Sequence, residues 1–255
     1  MLKKWCALLL VFLMAMGSAA SAELISVTLS DEKCESVSEA VQCDGSIVTI
    51  TAPGEYLITG SLSNGQVKVD CKEDGKVTLH LQGVKIHNET GAAILIGSVK
   101  PRAQISLAAE TVNELSNGES LVYEEDDEPN GVIFSDSDLT IEGSGSLKVT
   151  AGEMDGIVSK DDLKIEGGVI SVIAPRHGVR GKDCVEISDG EITIQAGKDG
   201  LRSNNTKDSD RGYISITGGK IQITAGDDPL DFVTGLIVKN AEITSSVAAG
   251  AGADD

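Results

Sequence analysis

The sequence predicts an all-β fold in which short strands stack as the coils of a three-faced parallel β-helix, a solenoid with about 22 residues in each coil. Strand-like segments with one internal order recur through the second half of the chain. Aromatic residues make up only 3% of the sequence. So small an aromatic content suits a stack of aliphatic coils better than the core of an ordinary β-sandwich.

Four recurring segments carry the pattern. In each of them, two short runs of alternating apolar residues flank a corner that contains glycine, which is typical of two strands joined by a turn. The segments are 139–149, 163–172, 185–194 and 214–223. Their corners recur at steps of 24, 22 and 29 residues, measured from Ile141 to Ile165, Ile187 and Ile216. The last step is longer because residues 204–212 insert a polar loop.

A third short strand follows each pair and is entered through a tight turn. These strands are predicted at 155–157, 177–179, 199–201 and 228–230. A sandwich or barrel is not expected to keep one order of strand, corner and turn at a nearly constant period. Equivalent residues are therefore expected to stack about 4.8 Å apart, with aliphatic ladders inside and polar ladders outside.

The chain divides into four predicted parts. Residues 1–22 have the form of a secretory signal, with Lys3 and Lys4 before an apolar run and small residues before Glu23. Residues 23–46 are expected to cap the first coil, 47–246 to form the β-helix, and 247–255 to be a disordered Ala/Gly tail. We expect a secreted or cell-surface protein without a membrane span, because no later segment is long and apolar enough.

The chain is strongly acidic, with a formal net charge of −19. Without Lys3 and Lys4, 19 basic residues stand against 40 acidic ones. This balance argues against nucleic acid as a partner, because phosphate backbones are bound by basic surfaces. A hard cation such as calcium, or a sugar approached through cations, suits it better. Acidic charge also serves simply to keep a secreted protein soluble.

Cysteine usage permits a disulfide but not a zinc site. Cys34 and Cys43 lie in one short N-terminal segment and could close a loop in an oxidising compartment. Cys184 lies within a repeat, where a buried unpaired thiol is at least as reasonable. No CxxC pair or Cys/His ligand spacing occurs.

Stacked aspartates form a candidate calcium site. Asp199 and Asp228 occupy equivalent turns, with Asp227 beside one of them and Asp231 three residues further on. Carboxylates about 4.8 Å apart leave room for an ion bound by two Ca–O bonds of about 2.4 Å each. The alternative is that Asp is used at these turns only because it tolerates turn geometry.

A second acidic set occurs at the corners of earlier coils. It comprises Asp136, Asp138, Asp155, Asp161, Asp162 and Asp183. Asp155, Asp161 and Asp183 are the candidates for a second ion, although each alone reads as a turn residue.

Basic residues form their own ladder. Aligning the repeats stacks Arg180 on Arg202 and Lys160 on Lys182. A column of cations in so acidic a protein suits the carboxylates of a uronic acid polymer. Salt bridges between coils are the alternative, especially for the two lysines. His177 is predicted to be an exposed member of the aspartate column, since no Ser or Cys is spaced to use it as a nucleophile.

Whole phrases of the second half resemble a known family. The runs 128–147, 155–165 and 178–183 are similar to bacterial secreted carbohydrate-binding β-helix proteins, typified by a clostridial cellulose and polygalacturonate binder. The resemblance covers about residues 47–243. It implies a right-handed β-helix, bound calcium, and affinity for cellulose or acidic sugars.

A more distant likeness is to calcium-dependent β-helix pectate lyases. Their Asp-Asp-x-x-Asp turn, with an Asp one coil earlier, is similar to Asp227, Asp228 and Asp231 with Asp199. Such lyases also need a basic residue beyond this cluster to abstract a proton, and here the chain ends within a coil of it. We therefore expect a non-catalytic binder of acidic or plant cell-wall polysaccharide. The alternatives are a calcium-dependent lyase with Arg202 or Lys182 as base, and a structural surface adhesin.

Overall fold

The structure is a computed structural model that describes residues 23–31, 34–120, 122 and 128–248. Its regular elements are β-strands: β1 (Leu24–Leu29), β2 (Val41–Asp44), β3 (Ile47–Ile50), β4 (Gly54–Leu62), β5 (Gln66–Val69), β6 (Val77–Leu81), β7 (Lys85–Asn88), β8 (Ile94–Ile96), β9 (Ala103–Leu107), β10 (Val112–Asn117), β11 (Gly131–Ser135), β12 (Leu139–Gly143), β13 (Ser146–Thr150), β14 (Asp155–Ser159), β15 (Asp162–Ala174), β16 (Val179–Gly181), β17 (Cys184–Ala196), β18 (Leu201–Ser203), β19 (Tyr213–Ile216), β20 (Lys220–Ala225), β21 (Leu230–Phe232), β22 (Gly235–Val238) and β23 (Glu242–Val247). The predicted signal segment 1–22 and most of the predicted tail lie outside the described residues.

Alternation of apolar and polar residues explains why these segments are strands. Along β15, Leu163, Ile165, Ile170 and Val172 are buried while their neighbours are polar, small or exposed. Successive side chains of a strand point to opposite faces, so this spacing directs one face into an aliphatic interior. The all-β class predicted from the sequence is confirmed.

The predicted register between equivalent segments is also confirmed. Ile141 pairs with Ile165, Ile165 with Ile187, and Ile187 with Ile216, each in parallel strands. All four side chains are at most 1% exposed. Burying each of them contributes on the order of 2 kcal/mol relative to leaving it exposed, so a one-residue slip of any strand would be costly.

The strands form two sheets, and the larger one closes on itself. It has 14 strands, of which eight pair in a parallel ring in the order β4, β6, β9, β12, β15, β13, β10, β7 and back to β4. The second sheet has nine strands in the order β2, β3, β5, β8, β11, β14, β16, β18 and β21. The prediction of a right-handed, three-faced parallel β-helix is therefore wrong, as is the exclusion of a barrel. The larger sheet is a closed eight-stranded parallel barrel with a second sheet beside it.

Two long strands, β4 and β15, close the ring because each pairs with two other strands of the ring. The sequence did not reveal this double pairing. In β15, Leu163 to Ile165 pair with β12, whereas Val169 to Ile173 pair with β13. The bend between them contains Gly168 at φ +94°, a conformation that side chains with a Cβ rarely adopt. A glycine corner was predicted to end one strand and begin another. Here the strand continues through the corner. The two β-helix faces that were predicted to be separate are therefore joined by one strand, β15.

The N-terminal segment covers one end of the stack. β1 pairs in parallel with β4, and β2 pairs antiparallel with β3. Cys34 and Cys43 form a disulfide, whereas Cys71 and Cys184 are free and buried. Within the described part of the chain, no helix has the length and apolar character that crossing a membrane requires.

Candidate functional site

One column of side chains runs along the outer face of the second sheet. Strand register aligns Thr49, Lys68, Leu95, Phe134, Val158, Arg180, Arg202 and Asp231. We call this set the outer column. The neighbours of its members along the strands, such as Val179 and Leu201, are buried in the core, except in β21, where Phe232 is 37% exposed. Neighbouring members are about 4.8 Å apart along the sheet. The predicted alignment of Arg180 with Arg202 is confirmed.

A second row lies where the strands of this sheet begin. Backbone hydrogen bonds from Gly156 to His177 and from Gly178 to Asp199 align the turns of neighbouring segments. A Cβ atom on Gly178 would lie 2.3 Å from the Cγ2 atom of Ile194 and 2.8 Å from the carbonyl oxygen of Gly200. Only glycine fits so close an approach. The turn can therefore bring its charged side chains against the neighbouring segments.

Arg180 is held by two fixed acceptors. Its Nε atom donates to the Oδ2 atom of Asp155 at 2.9 Å, and its Nη2 atom donates to the Oδ1 atom of Asn130 at 2.8 Å. The Asp155 side chain is 2% exposed, and its Oδ1 atom accepts the backbone N–H of His177 at 3.1 Å. The buried Asp155 carboxylate, itself bound to the backbone of His177, fixes the guanidinium in place.

His177 is buried between the two arginines, so the prediction that it is exposed is wrong. Its Nδ1 atom lies 3.0 Å from the Oδ2 atom of Asp199, and its Nε2 atom lies 3.3 Å from the Nη1 atom of Arg202. Because a guanidinium can only donate, we assign a neutral imidazole that accepts at Nε2 and donates from Nδ1 to the Asp199 carboxylate. The backbone N atom of Asp199 also lies 3.3 Å from Nδ1, and a protonated Nδ1 does not accept from it. Burial lowers the pKa of His177 to about 4. The Arg202 and Arg180 guanidinium groups act in the same direction.

Arg202 bridges two carboxylates. Its Nη1 atom is 2.8 Å from the Oδ2 atom of Asp199, and its Nε atom is 3.3 Å from the Oδ2 atom of Asp231. Burial raises the pKa of Asp231, and the nearby Asp199 and Asp228 carboxylates act in the same direction while Arg202 opposes them. The guanidinium therefore reduces the repulsion between stacked acidic groups.

These groups surround a cleft of about 140 Å³. Its lining is strongly polar and comprises Asn130, Asp155, Arg176, His177, Arg180, Arg202 and Asn204. We call it the arginine cleft. Two atoms of its lining, Arg176 Nε and Asn204 Oδ1, are buried without a hydrogen-bond partner in the part of the chain that the structure describes. Leaving a buried polar atom without a partner costs about 1–3 kcal/mol, so the cleft suits a ligand that supplies both an acceptor and a donor.

Three of the lining residues were missed by sequence reasoning. Asn130 begins an Asn-Gly-Val turn of the same form as the Asp155-Gly-Ile turn, and this match could have identified it. Asn204 ends the segment 199–204, whose alignment with the earlier repeats placed Arg202. Only the charged residues of that alignment were predicted to bind a ligand, so the Asn204 amide was not. No sequence signal points to Arg176, because neither Asp155 nor Asp199 is preceded by an arginine.

The predicted calcium ligands are adjacent but are bound to protein groups. The backbone N–H of Asp228 donates to the Oδ1 atom of Asp199 at 3.2 Å, and Asp227 is exposed. Arg202 lies between Asp199 and Asp231, two of the four predicted ligands, and pairs with both. Among the described residues, no group of three or more Asp, Glu, His or Cys side chains is arranged to hold a metal. With these side-chain positions the four aspartates do not form a calcium site. Calcium binding by the protein stays a prediction.

The second acidic set is divided between two places. Asp155 begins β14, whereas Asp161 follows its end, so roughly 13 Å of strand separates them. Asp183 accepts a hydrogen bond from the Nδ2 atom of Asn205 at 2.6 Å. Burial raises the pKa of Asp161, and Asp138 and Asp183 act in the same direction. The structure does not bring Asp155 together with Asp161 and Asp183.

The two lysines differ from the two arginines. Lys160 donates to the Oε2 atom of Glu128 at 2.6 Å and lies 3.7 Å from an oxygen of Asp136. The salt-bridge alternative is therefore confirmed for Lys160. Lys182 is exposed and does not line the arginine cleft.

Comparisons with known proteins relate the chain to carbohydrate-binding domain-containing proteins and to a polysaccharide lyase-like protein. Residues 44–255 match the family model described as carbohydrate-binding domain-containing protein. A protein of Acetivibrio thermocellus with the same description is 46% identical over 202 residues, which are 78% of this chain and 70% of that protein. The solved structure of a polysaccharide lyase-like protein from C. thermocellum, a gadolinium derivative, matches with a TM-score of 0.85 and 37% identity, covering 88% of this chain and 92% of that chain.

The carbohydrate-binding part of the predicted resemblance is thereby confirmed. The match spans both sheets and every residue of the arginine cleft. The chain belongs to the family of carbohydrate-binding domain-containing proteins.

Proposed function

We propose that this protein binds a carboxylate-bearing polysaccharide at the arginine cleft and does not cleave it. The observation that carries the proposal is the pair of unpartnered buried atoms, Arg176 Nε and Asn204 Oδ1, in a cleft lined by three guanidinium groups. A uronic acid unit supplies what they lack, since its carboxylate accepts from arginine and its hydroxyl groups donate to an amide oxygen.

Charge within the cleft favours an anionic sugar. The lining of the cleft itself holds three guanidinium groups and one carboxylate, that of Asp155, and His177 is neutral. Asp199 and Asp231, which pair with Arg202, lie outside this lining. The whole chain carries a net charge of −19. Because the protein as a whole repels anions, an anionic ligand is attracted only where positive charge is concentrated, which is at this cleft.

Binding without cleavage follows from the state of the candidate base. Abstraction of a proton next to a uronate carboxylate needs a group that can lose its own proton. Arg202 is paired with two carboxylates, and a guanidinium group does not lose its proton in proteins. Lys182 lies outside the lining of the cleft.

We also propose that the protein acts outside the cytoplasm. The form of residues 1–22 supports this, and so does the Cys34–Cys43 disulfide, because such bonds persist in oxidising compartments. Calcium dependence remains a separate prediction, which is tested by adding calcium or a chelator to the same titrations.

The test is calorimetric titration of the mature protein with polygalacturonate, with cellulose as the neutral comparison, while ultraviolet absorbance is followed for unsaturated products. Arg176→Gln should weaken polygalacturonate binding about tenfold, the value of one hydrogen bond to a charged group. Arg176 makes no ion pair with a carboxylate of the described residues, so this variant removes the partner of none of those acids.

Arg102→Gln is the matched control, because it removes the same charge from an exposed position outside the cleft. It should bind as the unaltered protein does. Equal weakening by both variants would mean that only general electrostatics is involved. Formation of unsaturated product would replace the proposal with a lyase, and absence of any binding would leave a structural adhesin.

A further inference from the structure

We propose that the outer face of the second sheet carries a second uronate subsite, centred on Lys68, which binds another unit of the polysaccharide held in the arginine cleft. This inference rests on the proposed function. It starts from a small apolar cluster outside the main core, formed by Ala92, Phe134 and Val158 with Leu95 packed against it. Leu95, Phe134 and Val158 belong to the outer column, so the cluster lies on the same face as Arg180.

A cleft of about 350 Å³ has part of this cluster as its floor. Leu95 lines it from the sheet and is half-buried, whereas Phe134, at 2% exposed, lies beneath the surface. The buried Pro129 belongs to the segment that also supplies Asn130 to the arginine cleft. The C–H face of a sugar ring packs on apolar surface of this kind while its hydroxyl groups remain hydrated.

One cation beside this floor is available to a ligand. Of the two lysines in the lining, Lys160 is bound to Glu128 and Asp136. Lys68 is half-buried and makes no ion pair with any residue that the structure describes. Holding an ammonium group over an apolar floor without a partner is explained if a ligand carboxylate pairs with it.

A neighbouring cleft of about 510 Å³ extends the same surface. It shares Lys68, Leu95 and Pro129 with the first cleft, and adds amide side chains from Gln66 and Asn88. Both amides already donate to the carbonyl oxygen of Ala92, and Asn88 Oδ1 accepts from the backbone of Thr90. The remaining acceptor capacity of Gln66 Oε1 suits a sugar hydroxyl group.

The surface therefore offers an apolar floor, polar groups at its margin and, among the described residues, one cation without an ion pair. Three carboxylates also line the first cleft: Glu128 and Asp136 are paired with Lys160, and a bound uronate must keep its own carboxylate on the side of Lys68, away from the exposed Asp70.

Position on the sheet indicates that one ligand chain reaches both sites. Lys68 and Arg180 are four places apart in the outer column, which is roughly 19 Å at about 4.8 Å for each strand. A polymer of uronic acid units crosses this distance along the face. Binding of one unit raises the local concentration of the next, so two weak subsites together bind a long chain much more tightly than either alone.

The experiment titrates galacturonate oligomers of increasing length into the mature protein and follows backbone NMR shifts and affinity. Oligomers too short to span both sites should bind with an affinity that Lys68→Gln leaves unchanged. Oligomers that span them should bind at least tenfold more tightly to the unaltered protein, and Lys68→Gln should remove about tenfold of that gain. Lys72→Gln, which neutralises an exposed lysine outside both clefts, should change neither.

The outcomes separate this inference from the proposed function. If affinity does not rise with length, or if Lys68→Gln binds long oligomers as the unaltered protein does, the second subsite is overturned while the arginine cleft stands. If Arg176→Gln has no effect on the short oligomers, the proposed function fails whatever Lys68 does. Melting temperatures of all three variants serve to show that each is folded.

Discussion

Removal of the Asp155 carboxylate should destabilise the protein far more than removal of an exposed aspartate. The Asp155 side chain is 2% exposed and accepts two hydrogen bonds, one from Arg180 at 2.9 Å and one from the backbone of His177 at 3.1 Å. Asp155→Ala leaves one backbone N–H unsatisfied, at about 1–3 kcal/mol, and one charged hydrogen bond unmade, at about 1.5–3 kcal/mol.

Partial exposure of the arginine sets the expected magnitude. Breaking one side of a buried ion pair costs about 3–5 kcal/mol. The Arg180 side chain is 18% exposed and keeps Asn130 as an acceptor, so part of its charge can be rehydrated. We therefore expect a loss near the lower limit, about 3 kcal/mol of unfolding free energy. The Asp155→Asn variant should lose less unfolding free energy than Asp155→Ala, because its amide oxygen can still accept from the backbone of His177.

Urea unfolding followed by circular dichroism measures this loss, and Asp136→Ala is the control. Asp136 lies 3.7 Å from Lys160, and both side chains are at least 40% exposed. An exposed pair of this kind contributes about 0–1 kcal/mol. The comparison requires equal denaturant slopes for the two variants. A loss below about 1 kcal/mol for Asp155→Ala, equal to that of the control, would refute the assignment of Asp155 as a buried anchor for Arg180.

Three further predictions concern a turn, an imidazole and a thiol. Gly178→Ala should lower stability by about 1–3 kcal/mol, because its Cβ would lie 2.3 Å from Ile194, whereas Gly235→Ala, with nothing within 4 Å, should have little effect in the same urea assay. The free energy of unfolding should fall as pH drops from 6.5 towards 4, because His177 is protonated in the unfolded chain in this range but not in the folded state, where its pKa is about 4. The His177→Gln variant should lose this part of the pH dependence. An unchanged slope of unfolding free energy against pH in that variant would contradict the prediction. Burial raises the pKa of Cys184 to about 12, so alkylation at pH 8 followed by peptide mass spectrometry should modify it only after unfolding, and rapid labelling of the native protein would show that the thiol is accessible.

The alternating pattern of the sequence determined the strands, their register and the residues that stack on one another. Ile141, Ile165, Ile187 and Ile216 were aligned from spacing alone and are paired in the structure. Arg180 and Arg202 were aligned in the same way. This succeeded because side-chain direction in a strand follows a period of two and parallel pairing repeats it from strand to strand. The carbohydrate class followed from whole phrases of sequence and is supported by the matching family.

Tertiary structure decided how the strands close and which charged groups meet. A glycine corner looks the same in sequence whether a strand ends there or bends and continues, so the closed ring through β15 was not foreseen. Spacing predicted that Asp199 and Asp228 would be stacked, but only side-chain packing shows that Arg202 pairs with the predicted ligands Asp199 and Asp231 and that His177 is buried beside Arg202. Arg176 and Asn204 became visible as site residues only because the folded chain leaves their polar atoms without partners. Such contacts depend on rotamers and on residues distant in the chain, which no local pattern contains.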